Sequence, residues 1–335
     1  MFSRCNAFPF TINLKGWRAM PRVPFKCASC SGLRDLRLHL HELSKYCDLL
    51  ANVRQAGPRS ATLVGTDSIA KWLLLASQID EVLMDTSRFE IAQNYCAPVL
   101  DWQESEADHR GSWATRLTRF VFFCNALEET YRFCEPTYER LYRDKTSTLS
   151  KGAKMKRPSM KAAFVLREYA NKICLPPDFA HLTENFFLLT QVYERELSIP
   201  LALSVESPAD IAYGLDAVRC LRNHVAHGIF PILENPEYSM AISPSLYHAI
   251  LNLVNQAVRV GALNIQLLLA IDNDGFQAPL YDQLCDDPDT GDYFSECCDT
   301  DYLVNLHRAQ TFGLNEVSYY GWSDESTTWR HNHRG

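Results

Sequence analysis

The sequence predicts an all-α protein on three observations. Apolar residues recur at three- and four-residue steps, strand-like alternation is scarce, and prolines and capping residues stand where helices would start and stop. The chain has 335 residues, 47% hydrophobic and 22% charged, enough for a real core and unlike a disordered chain.

Taken in order, the first hundred residues offer two helices, Leu33 to Leu50 and Ser68 to Met84. From Trp113, the residues Leu117, Phe120, Cys124, Leu127 and Tyr131 trace one apolar stripe. Pro136 kinks or ends that helix, with a further turn or two over Tyr138 to Arg143. A basic linker follows, broken by Ser147, Ser150 and Gly152. Pro158 opens a helix to about Ile173, and Asp178 caps another to about Leu197. Ser207, Pro208 and Asp210 form a start signal, and Gly228 a left-handed stop. Ser243-Pro244 starts the long apolar helix that ends at Ile271. Three regions follow from this pattern: a helical N-terminal region over 1–105, a helical domain over 110–271, and an acidic, mostly irregular extension over 272–335.

The net charge of -7 is unevenly spread. Residues 272–301 hold ten carboxylates and no Lys or Arg, and a solvated loop is expected there; Asp287-Pro-Asp289 fails the spacing of a calcium loop. Residues 145–161 carry Lys145, Lys151, Lys154, Lys156, Arg157 and Lys161 without an acid, so a local phosphate-binding surface is compatible with the mean charge. The stretch Leu246 to Ile271 is long enough to span a bilayer but carries Asn252, Asn255, Gln256, Arg259, Asn264 and Gln266. Those side chains are costly in hydrocarbon, so a buried helix is expected and no membrane partner. Most of the twelve cysteines stand singly in apolar stretches, as reduced thiols of a cytoplasmic protein do. The first 34 residues hold six Lys or Arg and no acid, a composition shared with organellar transit peptides, and Met20 is an alternative start to Met1.

The helix opened by Pro208 holds the densest group of chemically capable residues. At about 100° per residue, Ile211, Leu215, Val218 and Val225 lie on one face, with Arg222 in the middle of the stripe. A guanidinium facing a core needs an anionic partner, a subunit interface or a ligand. Glu128 flanks the stripe of the Trp113 helix and is the expected partner, whereas Glu129 points away.

The run Arg222-Asn223-His224-Val225-Ala226-His227-Gly228 resembles the signature of the HEPN superfamily: an Arg, a polar neighbour and a His after four intervening residues. The resemblance spans about residues 110–271 and implies a HEPN-like helical bundle, with Phe122 to Tyr131 in the place of the first helix and its acidic residue. It implies metal-independent endoribonuclease chemistry. The 2′-hydroxyl attacks its own phosphate, His227 serves as base or acid, and Arg222 offers a planar fork to the phosphorane. Asn223 orients the His or a phosphate oxygen, and His224 is either a second acid/base group or a solvated side chain. The product is a 2′,3′-cyclic phosphate, the substrate is RNA, and no cofactor is required.

Arg222 and His227 diverge by about 140° on an ideal helix. They share a phosphate only if the helix ends or distorts near Val225, or if two protomers pair their motifs; the family resemblance implies the homodimer. It also implies a toxin or antiviral defence effector, with an antitoxin or other regulator as a further partner. Two other classes fit the same residues: a non-catalytic dimerisation or nucleotide-binding module, and a helical scaffold whose N-terminal region binds a partner or zinc. For zinc, Cys27-x-x-Cys30 with His39, His41 and Cys47 is the candidate ligand set, lacking a second close pair.

Overall fold

The computed structural model describes residues 28–56, 65–86, 88, 97–146, 155–271 and 300–309. The candidate start at Met20, the basic N-terminal stretch, Cys27, Lys151, Lys154, the acidic run 272–299 and residues 310–335 lie outside them. Among the described residues the protein is all-α, with no strand; Leu33 and Arg308 form an isolated antiparallel bridge.

The helices are α1 (Ala28–Ser31), α2 (Leu36–Ala56), α3 (Asp67–Gln78), α4 (Ala97–Phe133), α5 (Glu135–Thr146), α6 (Pro158–Tyr169), α7 (Phe179–Leu197), α8 (Tyr213–Ala226), α9 (Pro244–Ile271) and α10 (Thr300–Asn305). The core is organised on α9, against which α2, α4, α6, α7, α8 and α10 all pack. Every residue of α9 from Ala257 to Leu269 is buried, as expected of a helix apolar on all sides and surrounded by others. It is long and apolar enough to cross a membrane, yet most of that stretch is buried inside the protein. Two glycines let helices approach: a Cβ on Gly214 of α8 would lie 2.5 Å from Asn264 Nδ2 and 2.6 Å from Val260 Cγ1, and one on Gly261 of α9 would lie 2.6 Å from the Phe123 ring.

Several boundaries differ from the sequence reading. α4 begins at Ala97, sixteen residues before Trp113, so the division drawn between residues 105 and 110 falls inside one helix. α3 packs on α4, α2 packs on α3 and α9, and all of them share one hydrophobic core. α8 begins at Tyr213 and not at Pro208. Asp210 instead accepts the Ala212 amide at 2.9 Å and is gripped by Arg167 Nη2 at 2.8 Å, which holds 208–212 as turns. Asp178 precedes α7 but has φ of 62° and makes no side-chain cap; its carboxylate pairs with Arg308. Part of the C-terminal extension is ordered against the core: Leu303, Leu306 and His307 are fully buried, and the Arg34 amide donates to the His307 carbonyl at 2.8 Å.

Candidate functional site

α8 ends in a well-formed stop. The Gly228 amide donates to the Val225 carbonyl at 3.3 Å and the Ile229 amide to the His224 carbonyl at 2.8 Å, with Gly228 at φ +67°. This is the Schellman closure, in which a left-handed glycine reverses the chain and satisfies the last carbonyls. Phe230 then turns inward and stacks on Tyr193 of α7, centroids 5.5 Å apart.

The buried face of α8 is formed by Gly214, Ala217, Val218, Leu221 and His224. Arg222 therefore stands at its edge and not in the middle of the core stripe. The expected stripe left out Gly214, Ala217, Leu221 and His224, whose burial moves the centre of the core face away from Arg222. The Arg222 side chain is 43% exposed and its Nη2 lies 3.6 Å from Glu128 Oε1 of α4, the partner the sequence predicts; Glu128 is 37% exposed. Glu129 pairs with Arg132 instead. Arg222 Nη1 also donates to Asn223 Oδ1 at 3.4 Å, which is at the long end for a hydrogen bond. Beneath this pair lies Cys124, whose thiol is pushed up by burial and stays protonated.

His224 is neither solvated nor loose. It is buried, and its Nδ1 lies 3.0 Å from the Tyr193 hydroxyl. Burial lowers its pKa below the ordinary 6.5, opposed by the Glu194 carboxylate. Burial likewise pushes the Tyr193 hydroxyl up to about 12, so the pair is neutral at physiological pH. Nothing in the sequence marks Tyr193 as a partner: it follows Phe186 by seven residues on the core face of α7 and reads as packing. His227 is exposed at the helix terminus, its amide bonded to the Asn223 carbonyl at 2.9 Å. That bond is the last of the helical ladder: α8 ends at Ala226, one residue past Val225, and His227 is its C-cap with φ of -98° and ψ of 7°. By ideal helical geometry Arg222 and His227 of one chain diverge by about 140° and stand roughly 7.5 Å apart along the axis.

The remaining candidates are dispersed. Of the basic linker, Lys156 and Arg157 are exposed, while Lys161 pairs with Glu135 at 2.7 Å. Among the zinc candidates, Cys47 is buried in the core and His41 is half-buried. His39 has both ring nitrogens engaged, Nδ1 with Arg259 Nη1 at 3.0 Å and Nε2 with Gln266 Oε1 at 2.8 Å. Cys30 lies 3.5 Å from His181 Nε2 on α7. Among the described residues no group of three or more His, Cys, Asp or Glu is placed to hold a metal ion. No family model, curated protein or solved structure matches the chain.

Proposed function

We propose that the protein is a HEPN-type, metal-independent endoribonuclease whose site is built at the end of α8. The observation that carries this reading is the placement of Arg222, Asn223 and His227 along the solvated side of a capped helix end, with Glu128 at 3.6 Å from the guanidinium. A phosphodiester can reach such a surface, and its residue types match the reaction. His227 takes the 2′-hydroxyl proton as the 2′-oxygen bonds phosphorus, and a histidine returns a proton to the departing 5′-oxygen as its bond to phosphorus breaks. Arg222 stabilises the charge that gathers on the phosphorane oxygens, and Glu128 orients its fork. His224, fixed by Tyr193, positions the turn that carries His227.

The 140° divergence makes a homodimer part of the proposal, each motif contributing to a composite cleft. Ile229 and Ile232, 47% and 67% exposed directly after His227, offer an apolar contact for a second copy. A cytoplasmic toxin or defence effector restrained by a separate regulator is the setting that accompanies this reading. The Arg222–Glu128 pair favours one competing reading, a binding module in which the same ion pair only ties α8 to α4.

The deciding experiment is cleavage of total RNA in EDTA by the parent and by His227→Ala. Products ending in 2′,3′-cyclic phosphate from the parent alone are expected. Equal patterns from two folded, dimeric proteins would transfer the site to the binding module.

A further inference from the structure

Three chain segments meet at the start of α7 and bring a thiol and an imidazole together there. Cys30 lies in the short helix α1 and carries an exposed free thiol. Its Sγ stands 3.5 Å from His181 Nε2, a hydrogen-bonding distance for sulfur. His181 belongs to the first turn of α7. Asn185, one turn further on, donates through Nδ2 to the same imidazole nitrogen at 3.1 Å. With the amide so placed, Nε2 is the lone-pair nitrogen of the ring, and the Cys30 S–H meets an acceptor.

The contact is held from outside the pair. The Ala309 amide donates to the Gly32 carbonyl at 3.0 Å and Leu33 bridges Arg308, so the segment after α10 grips the turn that carries Cys30. The same segment grips the chain just before α7. His307 Nε2 donates to the Pro177 carbonyl at 2.8 Å, and Arg308 pairs with Asp178. Cys30 and His181 are 151 residues apart in sequence, yet both stand on backbone tied to one strap. Two features of the place suit a thiolate. A histidine takes up a proton near neutral pH, and the amide end of a long helix such as α7 favours negative charge. The other charged or titratable groups on these segments are Asp178 with its partner Arg308, Arg34 followed by Asp35, His307, and the exposed Glu184.

We propose that Cys30 is a nucleophilic thiol that exchanges with small disulfides to form a mixed disulfide, with His181 as its general base and Asn185 positioning the imidazole. As the Cys30 sulfur attacks one sulfur of the disulfide, its proton passes to His181 Nε2. A new S–S bond forms and the old one breaks. The departing thiolate then takes a proton back from the imidazolium and leaves as a thiol. Cys30 is oxidised and the departing sulfur is reduced, so the disulfide itself is the only oxidant. The other described cysteines differ in a useful way. Cys47, Cys124, Cys134 and Cys220 are buried, and burial pushes the Cys47 and Cys124 thiols up. Cys174 is exposed, with no imidazole bonded to it among the described residues, and serves as the unassisted reference.

The test incubates the reduced full chain with glutathione disulfide at pH 7 and reads, by peptide mass mapping, the initial rate at which each thiol is converted. Cys27→Ser is the parent throughout, so that the rate at Cys30 is its own and not relayed from a neighbouring thiol. An ordinary thiol is only about a few per cent thiolate at that pH, which leaves room for a base to act. Cys30 should react at least about threefold faster than Cys174, because the gain in thiolate outweighs the accompanying loss of nucleophilicity. His181→Ala should bring the Cys30 rate down to that of Cys174 and leave Cys174 unchanged. If that variant does not fold, the two rates in the parent decide the matter. Equal rates at Cys30 and Cys174 in the parent, or an undiminished Cys30 rate in folded His181→Ala, would overturn the proposal.

Discussion

Arg222→Ala separates a catalytic charge from a structural one, because the two roles differ by orders of magnitude. At 3.6 Å a pair of unit charges interacts by about 1 kcal/mol in water and about 5 kcal/mol at an effective dielectric of 20. With side chains 43% and 37% exposed, the pair lies toward the aqueous limit, where measured pairs contribute about 0.2–1 kcal/mol. A domain of ordinary stability, about 5–15 kcal/mol, that loses about 1 kcal/mol remains more than about 99% folded. Urea unfolding of Arg222→Ala should therefore show a midpoint only slightly below the parent's. The loss of a donor that stabilises transition-state charge is a larger effect, about 10²–10³ in rate. Cleavage of an RNA substrate in EDTA, at equal concentrations of folded protein, should fall by that factor. A stability loss above about 3 kcal/mol would show that the pair holds α8 to α4. A normally folded variant that cuts at the parent's rate would remove Arg222 from the chemistry.

Two further outcomes follow from the buried histidines. Tyr193→Phe removes the hydroxyl that faces His224 Nδ1 at 3.0 Å and should lower stability by about 1 kcal/mol in urea unfolding; an unchanged midpoint would show that the bond contributes nothing. Burial holds His307 at about 4, below the ordinary 6.5, so between those values the unfolded chain binds the extra proton and stability falls as pH drops. The full difference amounts to roughly 3 kcal/mol, of which about 2 kcal/mol is lost between pH 7 and pH 5. His307→Gln keeps an N–H for the Pro177 carbonyl and should flatten that part of the profile; parallel profiles for parent and variant would refute the assignment.

The elements legible in the sequence are those whose signals are local. Gly228 closes α8 and Pro244 opens α9 because a left-handed stop and a proline start need no distant partner. Phe179–Leu197 stands where Asp178 announces a helix, although the Asp178 side chain does not cap it. The start of α8 was not legible, because Asp210 answers to Arg167, forty-three residues away, as well as to the amides beside it. The first turns of α4 were hidden for another reason: Gln103 and His109 are the buried residues there, so no apolar stripe announces the helix. At the candidate site, the Arg222–Glu128 pair was readable from two helical wheels. The Tyr193–His224 contact was not, since a tyrosine on a core face looks the same whether or not its hydroxyl has a partner.

The expectation that a core-facing guanidinium must meet an anion was attached to Arg222, and its physics applies more strongly to Arg34. Arg222 lies at the edge of its helix face, keeps nearly half its surface in water and has a carboxylate besides. Solvent alone would suffice for it, which is why its role must rest on chemistry and not on charge balance. Arg34 is buried with no hydrogen-bond partner on its guanidinium, and among the described residues the neutral imidazole of His39 lies within its electrostatic reach. Pattern matching favours Arg222 because it sits in a recognisable run, and passes over Arg34 because nothing around it in sequence repeats a known motif. Burial reverses that order of interest. A charge that folding has enclosed requires a counter-charge whatever the protein does, whereas a charge at the surface acquires a function only if a substrate comes to it.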